Sequence, residues 1–425
     1  MNKKNRKKMR RFTKLIKRLF LLFLILVLVG FVWTYVKLSS LNNGNESTAT
    51  AKASLKDPIN ILIYGMDNVP GSPASRTDTI MIMHYDPKTK DTTLVSLPRD
   101  TMITQDTYAP KVIGRTAKLT EVHYDSQLAY DIDTARDNLI NTVKNFFGIY
   151  NINYYISIDY SGFSSIINAI GGVDVVPKYN MKYHDPVDNL VIDFDKDKKY
   201  HLNGEDALKF VRWRKNDDGV ESETDGSDLG RIENQRYFIS AFIDELSSPL
   251  GIIKTPSLIS KGCQYIKTDL PANKILAYTL SILKSGTDNL TSETLKGTTK
   301  NVNGTDYFVY NASENRDIIN MLNGGNCEDI EDRSDLYVTI RNSSGKDGLA
   351  GKLREKLVNQ YGYTYDNITT ETGSSLVNKS SIIVSNSSSI SNLDSLCDEI
   401  DIDNISTEGN CNSDITIIIG KDFGN

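Results

Sequence analysis

Residues 1–18 carry ten Lys and Arg and no acid, and they run directly into an apolar stretch of eighteen residues, Leu19 to Val36 (LFLLFLILVLVGFVWTYV). No other feature constrains the chain as strongly. Eighteen helical residues rise ~27 Å, close to the ~30 Å hydrocarbon core of a bilayer. Trp33 and Tyr35 fall where interfacial aromatics belong. The basic excess ahead of the run directs the N-terminus to the cytoplasm, so everything after Lys37 is expected outside the cell membrane, on a single-pass anchor. A cleaved signal peptide fits less well. The apolar run is long for one, and the nearest small-x-small site, Ala49-Thr50-Ala51, lies well downstream.

Beyond residue 18 the chain holds 39 basic against 54 acidic residues, a net of −15. A surface that acidic argues against nucleic-acid binding, which needs a basic face. At 425 residues, 39% of them apolar, there is room and material for two or three domains. Residues 38–57 are small and polar and read as a flexible extracellular tether. Residues 58–322 read as the main domain, 323–333 as a linker, and 334–425 as a smaller unit. Cys263, Cys327, Cys397 and Cys411 match no zinc spacing. Outside a membrane a Cys397–Cys411 disulfide would close a loop of about 15 residues, and four unpaired thiols are an equal alternative.

Residues 59–65, 79–85 and 92–97 are Ile-, Leu- and Val-rich runs, the pattern of strands covered on both faces. Further strands are expected over 154–159 and 172–176, and helices over 134–148, 161–171, 204–214 and 231–246. Strand and helix alternate, which gives the α/β class: a sandwich with a central mixed sheet covered by helices. Residues 187–200 and 215–228 read as acidic surface loops. Residues 334–425 read as a small α/β domain, with strands near 380–385 and 413–423.

Charged residues gather where apolar elements end. Asp67 follows the first strand, Arg76 and Asp78 precede the second, and Arg99 and Asp100 follow the third. Arg212 and Arg214 close one helical stretch, and Asp228 and Arg231 open another. Twelve Arg lie beyond residue 18, and five of them are in these segments. Arg offers a planar fork that matches phosphate oxygens; Lys does not. In open α/β sheets ligands bind beyond strand ends. Salt bridges account for any one of these charges taken alone; their coincidence at element ends points to a bound pyrophosphate. Asp67 and Asp78 are then candidate ligands of Mg²⁺ (or Mn²⁺), which takes one or two carboxylates plus phosphate oxygens. No G-x-S-x-G elbow or Walker loop is present. The four His lack metal or triad spacing.

The ordered segments NILIYGMD (60–67), RTDTIMIM (76–83), LVSLPRDT (94–101), AKLTEVH (117–123), FSSIINAIGGVDV (163–175), LNGEDALKFVRWRK (202–215) and DLGRIENQR (228–236) resemble the LytR-CpsA-Psr family of bacterial envelope proteins. The segment around Arg341 and the terminal IIIGKDF are similar to an accessory C-terminal domain found in many members. The resemblance implies a membrane-anchored phosphotransferase that moves a glycopolymer from a polyprenyl-pyrophosphate carrier onto peptidoglycan, with a phosphodiester as product. A polyprenyl-pyrophosphate hydrolase and a non-catalytic envelope-binding or regulatory protein are the alternatives. By the matched motifs, Asp67 and Asp78 would hold Mg²⁺. Arg76, Arg99, Lys118, Arg212, Arg214, Arg231 and Gln235 would hold the pyrophosphate. In this reading Pro98 fixes the turn that aims Arg99, Asp100 orients a neighbouring Arg, and either Asp228 or Asp100 takes the acceptor proton. Asn234 stands where the family usually has Arg, and Leu119-Thr120 where it has Ile-Asn.

Overall fold

The computed structural model describes residues 47–68, 71–104, 116–186, 190–217, 219–220, 228–248, 266–285, 289–325, 333, 335–385, 393–408 and 413–424. The anchor read at Leu19–Val36 and Cys263, Cys327 and Cys411 lie outside them. Among the described residues no helix is long and apolar enough to cross a membrane. Two compact units are formed. One gathers Ser47–Pro87, Thr93–Tyr154 and Thr291–Asn425; the other gathers Lys88–Thr92 and Tyr155–Leu290.

The first unit opens with β1 (Ile59–Met66), β2 (Thr77–Tyr85) and β3 (Thr92–Ser96). All five residues of β3 are buried, as its apolar run requires. Strands β1 and β2 pair antiparallel with a register shift at Gly65/Met66. Helices do not separate these three strands, so strict strand–helix alternation begins only later. The short β4 (Met102–Thr104) and β5 (Thr116–Lys118) pair antiparallel. Helix α1 (Leu119–Ala129) follows, then α2 (Ile132–Phe147). Asp131 caps α2 by accepting from Thr134 N at 2.8 Å, and Gly148 ends it in the left-handed conformation at φ 67°. The sequence pattern singled out α2 but not α1, whose polar residues blur its apolar face.

The stretch expected to be a free tether is fastened where it is described. Ser47 and Thr48 donate through their hydroxyls to the Asp137 carboxylate at 2.6 and 2.7 Å. Ala51 N donates to Ile152 O at 2.9 Å, and Asn153 Nδ2 donates to Ala51 O at 2.8 Å. Small side chains let this segment lie flat on the domain, and a half-buried carboxylate rewards it with hydrogen bonds.

The second unit contains β6 (Tyr154–Asp159) from Tyr155 on, α3 (Tyr160–Ile170) and β7 (Val173–Val175). Next come β8 (Met181–Asp185), β9 (Leu190–Phe194), β10 (Tyr200–Leu202) and α4 (Gly204–Arg212). Helix α5 (Asp228–Ser247), β11 (Ile266–Thr268) and α6 (Ala272–Ser285) complete it. Residues 187–200, read as a loop, contain β9 and the start of β10. In β9 the burial alternates around Ile192 and Phe194, and β8 supplies its antiparallel partner. The exposed Val191 and the acids that flank the strand in sequence hid that period of two. The core holds Trp213, Phe210, Phe238, Ile167, Ile170 and Met181.

Returning to the first unit, β12 (Leu290–Thr294) pairs with β3, giving the order β1-β2-β3-β12. A hairpin of β13 (Gly297–Val302) and β14 (Thr305–Tyr310) and helix α7 (Arg316–Leu322) follow. From residue 338 comes a five-stranded mixed sheet of β15 (Val338–Asn342), β16 (Ile368–Thr372), β17 (Ser381–Ser385), β18 (Ile405–Glu408) and β19 (Ile415–Ile419). Their order is β16-β15-β19-β17-β18. Helices α8 (Leu349–Gln360) and α9 (Leu393–Ile400) bury Leu353, Leu357 and Leu396 against Val338, Ile340 and Ile417. Cys397 is buried in this core. The described residues from 338 on are thus α/β, and they cluster in one unit with residues 47–87 and 93–154.

Candidate active site

The turn after β3 is built by its neighbours. Thr101 is fully buried, and both its N–H and its hydroxyl donate to Pro98 O, at 3.0 and 2.6 Å. Pro98 and Thr101 are therefore the ends of a four-residue turn, and Arg99 and Asp100 are its tip. Proline fixes φ at its own position only, so Thr101 closes the turn as much as Pro98 does. Helix α1 holds it from the other side: Leu119 N donates to Thr101 O at 2.9 Å and Thr120 N to Arg99 O at 3.0 Å. Those N–H groups belong to the helix start, where no intrahelical acceptor exists.

Arg99 Nη1 is ion-paired with Asp78 on β2. Asp100 pairs with Lys118 Nζ at 2.9 Å. This corrects the expectation that Asp100 orients an Arg; Asp78 does that. Asp67 and Arg76 are locked across the ends of β1 and β2. Asp67 N donates to Arg76 O at 3.1 Å, and Arg76 N donates to the Asp67 carboxylate at 2.9 Å. Burial pushes the Asp67 carboxyl above its ordinary range; the Arg76 N–H opposes this, and the charge of Asp78 adds to the rise. Asp67 and Asp78 are a pair of neighbouring carboxylates at the strand ends, the donor type that a divalent cation takes, and they would be its protein ligands. Among the described residues no cluster of three or more His, Cys, Asp or Glu could hold a metal. Any cation here would take its remaining ligands from substrate oxygens and water.

The remaining candidates lie in the other unit. Arg212 is the last residue of α4. Trp213 then turns inward and is 1% exposed, its indole N–H donating to Asn216 Oδ1 at 3.1 Å. Arg212 and Arg214 flank this buried anchor, half-buried and exposed respectively. The placement of α4 depends on Gly204, whose missing side chain lets the backbone approach Ser164: a Cβ there would lie 2.1 Å from Ser164 O. Arg231 is buried in α5. Gln235 Nε2 donates to Val211 O at 3.2 Å and Asn234 Nδ2 to Phe210 O at 3.4 Å. Both amides tie α5 to the end of α4. Gln235, expected on the phosphate, bonds the backbone beside Arg212. The side chain of Asp228, the first residue of α5, lies outside the described residues.

Three aromatic partners escaped the sequence reading. Arg76 lies over the Tyr124 ring at 5.3 Å, Arg212 over Tyr160 at 5.2 Å and Lys118 over Tyr307 at 5.7 Å. Such contacts are worth about 0.5–2 kcal/mol and hold a cation without neutralising it. Tyr124 follows the matched AKLTEVH segment directly, which is the one signal that was available. His123 is fully buried and meets Ser75 O through Nδ1 at 3.1 Å, bracing the residue before Arg76.

The LytR_cpsA_psr family model matches residues 31–324, and a second model, described as LytR cell envelope-related transcriptional attenuator, matches residues 335–423. The polyisoprenyl-teichoic acid–peptidoglycan teichoic acid transferase TagV of Bacillus subtilis (strain 168) is 29% identical over 281 residues, which is 64% of this chain and 66% of that protein. The chain thus spans just under two thirds of that relative's length. TagU of the same organism, with the same printed activity, is 25% identical over 283 residues, 67% of this chain and 83% of that one. The crystal structure of Bacillus subtilis TagV superposes with a TM-score of 0.50 at 26% identity, covering 63% of this chain and 96% of that one. A Streptococcus agalactiae protein shares the fold at TM-score 0.51 and 22% identity, covering 63% of this chain and 88% of its own. With a family model spanning well over half its length, this chain belongs to the LytR-CpsA-Psr family.

Proposed function

We propose that this protein transfers a glycopolymer from a polyprenyl-pyrophosphate carrier to peptidoglycan, at the outer face of the membrane that its N-terminal apolar run would span. The observation that carries the reading is the Arg99–Asp78 pair at the mouth of β2 and β3, with Asp67 and Arg76 at the same strand ends. The activity printed for the relatives supports it. Phosphoryl transfer asks a protein mainly for positioning and for charge placed where negative charge develops.

Arg99, on a turn fastened from both sides, presents its fork to the diphosphate oxygens. Arg76 and Lys118 add charge while their Tyr partners hold them in place. The acceptor sugar hydroxyl attacks the phosphorus bonded to the glycopolymer. A new P–O bond forms to the acceptor, the bridging P–O bond breaks, and polyprenyl monophosphate leaves. Asp228 or Asp100 takes the hydroxyl proton. Asp67 and Asp78 would hold Mg²⁺ or Mn²⁺, which would neutralise charge on the leaving phosphate.

The test supplies a prenyl-pyrophosphate-linked oligosaccharide with and without peptidoglycan and follows phosphorus by ³¹P NMR. A phosphodiester that needs the acceptor, and disappears in Arg99→Ala, is the expected product. Prenyl monophosphate and free sugar phosphate made equally well without acceptor would mean hydrolysis. No turnover, together with normal wall-polymer attachment in Arg99→Ala cells, would mean a binding protein.

A further inference from the structure

The β13–β14 hairpin touches the Arg99–Asp100 turn at one place and the C-terminal module at another. Phe308 N donates to Asp100 O at 2.9 Å, and Thr101 bridges to Phe308. Its neighbour Tyr307 supplies the ring beneath Lys118, which pairs with Asp100. Tyr307 is register partner of Lys300 on β13, and directly opposed residues point to the same face. Lys300 in turn is ion-paired with Asp366, and its ammonium lies 4.9 Å from the centre of the Tyr365 ring. Arg354 of α8 lies 4.3 Å from the centre of that ring. At its base the hairpin is fixed by Tyr310, which packs edge-on against Phe147 of α2 at 5.0 Å. Its outer length, towards Asn303 and Gly304, extends beyond that anchor. An exposed ion pair alone holds little. Here it is joined to a ring shared by two cations, and it grips the strand opposite Tyr307.

We infer that the C-terminal module sets the position of Lys118 and of the Arg99–Asp100 turn. Asp366 and Tyr365 hold Lys300, the hairpin carries that constraint to Tyr307 and Phe308, and these place Lys118 and Asp100. Lys300 and Tyr307 are positioning residues, and the module is a brace for the site. The inference rests on the diphosphate reading of that turn. The test uses the full chain in detergent, farnesyl pyrophosphate with Mg²⁺ as probe, and a melting curve for every variant. Lys300→Met and Asp366→Asn should weaken binding about three- to ten-fold with an unchanged melting midpoint. Lys300→Arg should bind like wild type. In a double-mutant cycle, Lys118→Met with Lys300→Met should bind no more weakly than Lys118→Met alone. Wild-type affinity in Lys300→Met while Arg99→Ala loses the probe would overturn the inference and leave the diphosphate reading standing. Multiplying effects in the double mutant would overturn it too. A wild type that takes up no more probe than Arg99→Ala would remove the diphosphate reading and this inference with it.

Discussion

Thr101 shows how one residue can decide a site without touching a ligand. It is fully buried, and its hydroxyl and N–H share one acceptor, the Pro98 carbonyl. Thr101→Val keeps the shape and removes one hydrogen bond, a net loss of about 0.5–1.5 kcal/mol. We expect the urea midpoint to fall by that amount and transfer to fall more steeply, about ten- to a hundred-fold, because the Arg99 fork is displaced. Comparing the two losses in one preparation checks this. Asp67 gives a pH signature. Its folded pKa is raised by burial, so the folded state binds a proton more readily than the unfolded chain does. The cation-free protein should therefore lose stability as pH rises through the interval above the ordinary carboxylate value. Mg²⁺ needs the ionised carboxylate, so its affinity should fall as pH drops through the same interval. Calorimetric titration of Asp67→Asn should show weak Mg²⁺ binding without that pH dependence.

At the scale of the element, Gly204 is the residue most exposed to test. A Cβ there meets backbone at Ser164, and backbone cannot swing aside. Gly204→Ala should push α4 from α3, cost about 1–3 kcal/mol in urea unfolding, and carry Arg212 with it. Loss of activity beyond loss of folded protein would show the second effect. The same helix shows how legible the sequence was. The expected start, residue 204, is the structure's own, and Asn203 caps it there. Its end was read at 214, two residues late, because Trp213 leaves the helix yet keeps the apolar pattern. Strands β1 to β3 were legible from their apolar runs. β8 and β9 were not, because their outward residues mix Lys182, His184, Val191 and Asp193 and acids crowd the flanking sequence. Of the site, the charged residues were legible as motifs. Their partners were not: Asp78 holding Arg99, and Lys118 rather than an Arg on Asp100, depend on chain crossings that no local pattern encodes.

At the scale of the molecule, the segment expected to be a free tether bears on stability. Removing residues 1–46 leaves the Ser47, Thr48 and Ala51 hydrogen bonds intact, so the unfolding midpoint should not change. Removing residues 1–57 deletes those bonds and uncovers Asp137. That truncation should cost roughly 2–4 kcal/mol in the same urea titration, at about 0.5–1.5 kcal/mol for each bond. Equal midpoints for the two truncations would show that the segment is a passive linker. The shorter truncation should also keep activity on a short-chain, water-soluble prenyl pyrophosphate and lose it on a carrier embedded in a bilayer, as expected if residues 19–36 are the anchor.

The central claim is that one diphosphate and one divalent cation meet at the Arg99 turn and the ends of β1 and β2. Anomalous diffraction from crystals of residues 47–425, soaked with Mn²⁺ and farnesyl pyrophosphate, tests it most directly. The account predicts a single Mn²⁺ peak coordinated by Asp67, Asp78 and a diphosphate oxygen, with Arg99 bonded to the same diphosphate. A diphosphate bound away from Arg99, or a Mn²⁺ peak that neither carboxylate touches, would contradict it.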